Sequence, residues 1–192
     1  MWRPAAPVMA LALSLVWALA CAAPVPAQTA EGLDRRERNF LNEAAILNLT
    51  EMHAGKLAED LAENEGVRAL ARRFAISHAT AHERLRAIAQ KHGVVLPDGL
   101  DAPTHEQIVE MQTFTGPAFD RYFLSFQEET HLRALKLFDA QAAYQGDEGL
   151  HHYVETTLGQ LNDHLRAVEQ VTAAIARTQD RDPQQSAEQP PR

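Results

Sequence analysis

Residues 40–78 read FLNEAAILNLTEMHAGKLAEDLAENEGVRALARRFAISH, and this stretch decides the fold. Its first part repeats Phe40, Ala44, Leu47, Ala54, Ala58 and Leu61 at helical spacing. Its second part carries Leu70, Ala71 and Phe74 on one face, a stripe that continues through Ala81, Leu85 and Ile88. Between them, Asn64-Glu65-Gly66 interrupts the pattern. So short a break forces the two segments into an antiparallel hairpin. Helix A is therefore expected over 34–63 and helix B over 66–92, with Gly93 suited to a left-handed C-cap.

Prolines carry the reading outward. They stand at 4, 7, 24 and 26, then at 97, 103 and 117, then at 183, 190 and 191. A proline inside a helix costs about 3 kcal/mol, which confines long helices to 27–96 and 118–182. In the second stretch, helix C is expected over 117–145, burying Phe119, Phe123, Leu124, Ala134, Leu135 and Phe138. Gly146-Asp147 breaks it, with Asp147 as N-cap of the next helix. Helix D follows over 148–178, with Leu150, Val154, Leu158, Leu161, Leu165, Val168 and Ile175 in its stripe. In the connection 93–117, Thr104 with Gln107 three residues on is a capping-box pattern. It opens a short helix to about Phe114. Pro117 then fits the first turn of helix C. Residues 179–192 are polar and rich in Pro and Gln, and read as a disordered tail. The expected fold is all-α: a ferritin-like four-helix bundle over 34–178, two antiparallel hairpins joined by a long crossover that carries a short helix.

The first 27 residues read as a secretory signal: Arg3, a short apolar run Val8–Ala20, then small residues. Its run falls short of the ~20 apolar residues of a spanning helix, and no other run approaches that length. Two endings compete. Val25-Pro26-Ala27 is an ordinary cleavage site. Ala18-Leu19-Ala20-Cys21 resembles a lipoprotein box, with Ala18 where such boxes carry Leu, and would place a lipid anchor on Cys21. The Ala27 site is preferred. The expected location is the periplasm, with outer-membrane association if Cys21 is lipidated. Cys21 is the single cysteine, so no disulfide framework holds the domain. Removing residues 1–27 removes only Arg3 and takes the formal charge from −8 to −9. An acidic chain without a basic run argues against nucleic acid and against docking on anionic headgroups.

Four residues sit near the midpoints of the four helices, on or beside the apolar stripes: Glu51, His78, His131 and His164. Glu51 is about 13 residues before the A–B break and His78 about 13 after it, so the hairpin sets them level at ~1.5 Å rise per residue. His131 and His164 stand about 16 and 17 residues either side of the C–D break. His82 lies one turn from His78 on the same face. Glu128 precedes His131 by three residues, giving one Glu-x-x-His pair. Di-iron bundles use two such pairs, and Ala75 and Leu161 occupy the corresponding positions before His78 and His164. A mononuclear site built from Glu51, His78, His131 and His164, with Glu128 and His82 nearby, is the expectation, and such donors suit Zn, Cu or Fe. Taken singly, each residue is more simply a satisfied core polar group. His53, His92, His105, His151 and His152 read as surface residues. Nucleophile-elbow, P-loop and dinucleotide patterns are missing from the sequence, and no reaction is assigned.

At these residues the chain resembles the exported bacterial proteins of domain-of-unknown-function family 4142, often labelled outer-membrane or periplasmic and grouped with ferritin-like folds. The similarity runs over about 34–175. It is carried by Phe40 to Ala45, Glu51 with Gly55 to Ala58, Leu70-Ala71 leading to His78, Gly93 to Pro97, Phe119 to Tyr122, His131 with Phe138, and Leu158 leading to His164. The family pattern has an Asp directly before the helix B histidine, where this chain has Ser77. The resemblance implies fold and export rather than a function.

Three readings follow. The first is an exported bundle that binds a transition metal for storage, buffering or envelope stress. The second is a structural or interaction module of the envelope with a polar core layer, no metal, and a second copy or an envelope protein as partner. The third is a metalloenzyme, which needs an open coordination position.

Overall fold

The computed structural model describes residues 32–187, with side chains up to residue 178. Residues 1–31, which hold the expected signal segment and Cys21, and residues 188–192 lie outside the described residues. Five helices make up the fold: α1 (Arg35–Leu61), α2 (Glu65–Lys91), α3 (Ala102–Met111), α4 (Gly116–Ala142) and α5 (Glu148–Ala187).

Local chemistry fixes the ends of these helices. Asp34 caps α1 in a capping box with Glu37. Asn64 caps α2 by accepting from the N–H groups of Gly66 and Val67, so the helix begins at Glu65, one residue before its expected start. Gly93 sits at φ 66° just beyond α2, a conformation that favours glycine. Asp147 accepts from the Leu150 N–H at the start of α5. Two expectations are corrected. The short helix begins at Ala102, not Thr104, because Asp101 is its cap and Pro103 sits in its first turn. And α5 runs on to Ala187, so residues 179–187, expected as unstructured tail, continue the helix. Their polarity marks where the chain leaves the core; once a helix is formed, each further residue adds a backbone hydrogen bond without needing an apolar face.

α1 packs against α2 and α4, and α5 against α2 and α4. Every one of these pairs is antiparallel. The end of α1 meets the start of α4, where Asp120 accepts from the N–H groups of Glu63 and Asn64 at 3.0 and 2.8 Å. The start of α1 meets the end of α4, where Glu37 accepts from the Asp147 N–H at 2.6 Å and from Asp34 at 3.0 Å. Each hairpin turn is thus held by a buried carboxylate from the other hairpin. The crossover between α2 and α4 spans the length of the bundle and lays α3 against α1 and α4. This is the ferritin-like arrangement. α1 and α2 approach closely at Gly55, where a Cβ would stand 2.8 Å from the Ala71 carbonyl.

The core falls into two apolar halves. One gathers Ala58, Val67, Phe74, Met111, Phe119 and Phe123; the other Phe40, Leu41, Leu85, Phe138, Leu150 and Leu161. Between them lies a layer of buried polar side chains.

Candidate metal centre

The layer takes its members from all four long helices. α1 supplies Asn48 and Glu51, α2 His78, α4 Gln127, Thr130 and His131, and α5 His164, each no more than 4% exposed. The 3.6-residue period puts Asn48 and Glu51, and likewise Gln127, Thr130 and His131, on one inward face of their helices.

Three imidazoles meet here. One ring nitrogen from each of His78, His131 and His164 lies within 4.8 Å of the other two. The ring centres form a nearly equilateral triangle with sides of 5.6, 5.3 and 5.3 Å. A point about 3.1 Å from each centre is shared by all three rings, close to the distance set by an ion bound to ring nitrogens at about 2.0–2.1 Å. The widest nitrogen pair has to close by about 1.4 Å to reach a tetrahedral edge at such bond lengths.

Neighbouring groups orient the rings. The Asn48 side chain donates through Nδ2 to the Tyr153 hydroxyl at 3.3 Å, which leaves Oδ1 facing His78 Nδ1 at 2.9 Å. A carbonyl oxygen only accepts, so His78 carries its proton on Nδ1 and keeps a lone pair on Nε2. That Nε2 is buried without a partner. His131 Nδ1 donates to the Gln127 main-chain carbonyl at 2.9 Å, leaving His131 Nε2 to accept from His164 Nδ1 at 3.1 Å. Such outer hydrogen bonds are those that hold metal-binding imidazoles in place. Phe74, one turn from His78, stacks on His164 at 4.2 Å and walls off that side.

Burial keeps the rings neutral. It pushes His131 down to about 4 against the pull of the Gln127 carbonyl, takes His164 to about 3 and holds His78 well below the ordinary imidazole value, the neighbouring imidazoles adding to the effect on the last two. All three therefore present lone pairs at neutral pH. Burial moves Glu51 the other way, up to about 8, against the pull of the Gln127 amide and Arg133. Its Oε1 stands 4.0 Å from His131 Nδ1. Gln127 lies beside Glu51 but out of hydrogen-bond geometry: both oxygens of Glu51, both amide atoms of Gln127 and the Thr130 hydroxyl are buried without partners. Native cores leave few such groups, and each needs an explanation, such as a functional role or a bound water or ion.

The structure brings His78, His131 and His164 together. Glu51 faces the Nδ1 side of His131, outside the close group of nitrogens. Glu128 is exposed and lines the groove between α4 and α5. The inward position before His131 belongs to Gln127, because four residues back passes a full turn by only about 40°, whereas three falls about 60° short of it, toward solvent. His82 is half-buried, one turn from His78, and outside the close group. His53, His105 and His152 are exposed, while His92 and His151 are partly buried; His92 Nε2 lies 3.1 Å from Asp147. Sequence reading missed Asn48, Gln127, Thr130 and Tyr153. Asn48 and Gln127 had a usable signal, since each lies three or four residues from a layer residue on the same stripe.

The profile of the family described as Domain of unknown function (DUF4142) matches residues 22–171. Among solved structures, a DUF305 fragment from Deinococcus radiodurans is similar, with TM-score 0.67 at 14% identity over 74% of this chain and 99% of that one. A candidate secreted DUF305 protein from Streptomyces coelicolor gives TM-score 0.63 at 13% identity, covering 72% of this chain and 91% of that one. At such identities the likeness concerns the fold. No curated protein matches the chain. Among the described residues, no helix is long and apolar enough to cross a membrane.

Proposed function

This chain belongs to the DUF4142 family, and we propose that it is an exported bundle that binds one transition-metal ion, zinc or copper, between His78, His131 and His164. The observation that carries the proposal is three buried, neutral imidazoles whose nitrogens converge within 4.8 Å. Two of them have their outer nitrogens tied to carbonyl oxygens, which aims their lone pairs inward. Neutral imidazole favours zinc and copper. Iron in mononuclear protein sites commonly takes a carboxylate beside two histidines, and Glu51 stands outside the close group, so iron is the weaker fit. Glu51 stands beside His131 as a neutral, protonated neighbour rather than as a ligand. Export is supported by the signal-like first 27 residues and by the candidate secreted DUF305 protein of the same fold. The role is storage or buffering of the ion in the envelope.

The test is metal content. The exported chain, purified without a His tag after growth with Zn, Cu and Fe, should carry about one zinc or copper per chain. His78→Ala and His131→Ala should lose it while staying helical. A metal-free wild type overturns the proposal. A second reading draws on one contact, the His131–His164 hydrogen bond, which partly satisfies the layer without an ion. On that reading the chain is a structural or interaction module of the envelope, and the same measurement finds no metal.

A further inference from the structure

The histidines are deeply buried, so an ion reaches them only where its water shell can be replaced on the way. Most of the surroundings offer nothing for this. Phe74 covers His131 and His164, and apolar clusters close the layer above and below. The side between α1 and α4 differs. A groove of about 240 Å³ lies there, reaching the start of α3. Its exposed lining includes Glu43, Asp101 and Arg133; its buried lining includes Thr50 and Thr130. Thr130 is 2% exposed and its hydroxyl has no partner. One turn back along α4 is Gln127, and beside Gln127 is Glu51, both fully buried and likewise unpartnered. Glu51 Oε1 then stands 4.0 Å from His131. Uncommitted oxygens thus run from the groove to the Nδ1 edge of His131, the member of the triad nearest that groove.

We propose that this seam is the path by which a hydrated divalent cation enters the triad. Glu43 and Asp101 draw the ion to the groove. The oxygens of Thr130, Gln127 and Glu51 replace its waters in turn. Arg133 offsets one of the two carboxylates, so the attraction at the mouth is modest. Unpartnered oxygens in a core destabilise the fold; on a cation path they are what the passing ion needs. The inference rests on the triad being a metal site.

The experiment is stopped-flow uptake of Cu2+ by the exported chain. Thr130→Val should slow association about tenfold, the effect of one lost polar partner along the way. Dissociation should slow alike, so that equilibrium affinity stays within about threefold of wild type. Glu43→Gln with Asp101→Asn should slow association about threefold and flatten its salt dependence. Asn at 101 keeps an acceptor for the α3 cap. Ser125→Ala, in the groove between α4 and α5, should change nothing. Equal uptake rates in wild type and Thr130→Val, at equal affinity, overturn the path and leave the triad standing. No uptake by the wild type overturns both. Should Thr130→Val fail to fold, the Glu43/Asp101 variant decides in the same way.

Discussion

Among the described residues three carboxylates are buried: Glu37 and Asp120 at opposite ends of the bundle, and Glu51 in its middle. The end pair accept two backbone N–H bonds each. Glu51 accepts none, and burial pushes it up to about 8. The difference follows from where helices leave backbone groups free. At a turn, N–H groups lack helical partners, and a carboxylate supplies what the backbone is missing. In mid-helix every N–H is already bonded, so a carboxyl there has no architectural task. The ends of the molecule are polar in order to hold its shape. In the middle, Glu51, Gln127 and Thr130 are polar without serving the shape, and that contrast is why the layer reads as a site.

The contrast can be broken from either side. Asp120→Ala should have the largest effect on the fold, about 3 kcal/mol lost, because two N–H groups are left without their acceptor. Urea unfolding reads this as a lower midpoint, with metal affinity unchanged. A loss below about 1 kcal/mol would remove the distinction drawn between ends and middle.

The middle should answer to pH instead. His131 and His164 fall from 6.5 to about 4 and about 3 in the folded chain. Their contribution to stability is complete above pH 6.5 and is lost as pH falls toward those values. Glu51 rises from 4.5 to about 8. Its contribution is complete below pH 4.5 and is lost as pH climbs through 8. The metal-free bundle should therefore be most stable near pH 6.5 and lose on the order of 1 kcal/mol by pH 8. Glu51→Gln should abolish the alkaline part of this decline, measured as melting temperature across the range. An unchanged alkaline limb in that variant contradicts the placement of a protonated carboxyl in the core.

The smallest effect expected is on the second tier of the layer. Asn48→Ala frees His78 to take either tautomer and should weaken metal binding about tenfold, read by competition with a chromophoric chelator. Binding at full strength in this variant would show that His78 is oriented by something other than Asn48.

Much of this was legible in the sequence. The stripes through Phe40–Leu61 and Phe119–Phe138 and the proline-free stretches define four helices. Equal distances from the two turns set the three histidines level, and the bundle brings them together. Periodicity is a strong signal because one buried face needs many residues to agree. What escaped is finer than a helical turn. Glu128 and Gln127 differ by one position, yet one faces solvent and the other the core. Which nitrogen of His131 faces His164 depends on a main-chain carbonyl that no side-chain pattern encodes. The ties of Glu37 and Asp120 join residues more than fifty positions apart, and only the packed hairpins bring them into contact.

The central claim is that one ion sits where the three imidazoles converge. Anomalous diffraction at the zinc edge from crystals of the zinc-loaded chain tests it most directly. One peak about 2.0–2.1 Å from a ring nitrogen of each of His78, His131 and His164 is the expected result. Zinc found only at surface residues such as His151 and His152, with the three rings still bonded to one another, would contradict it.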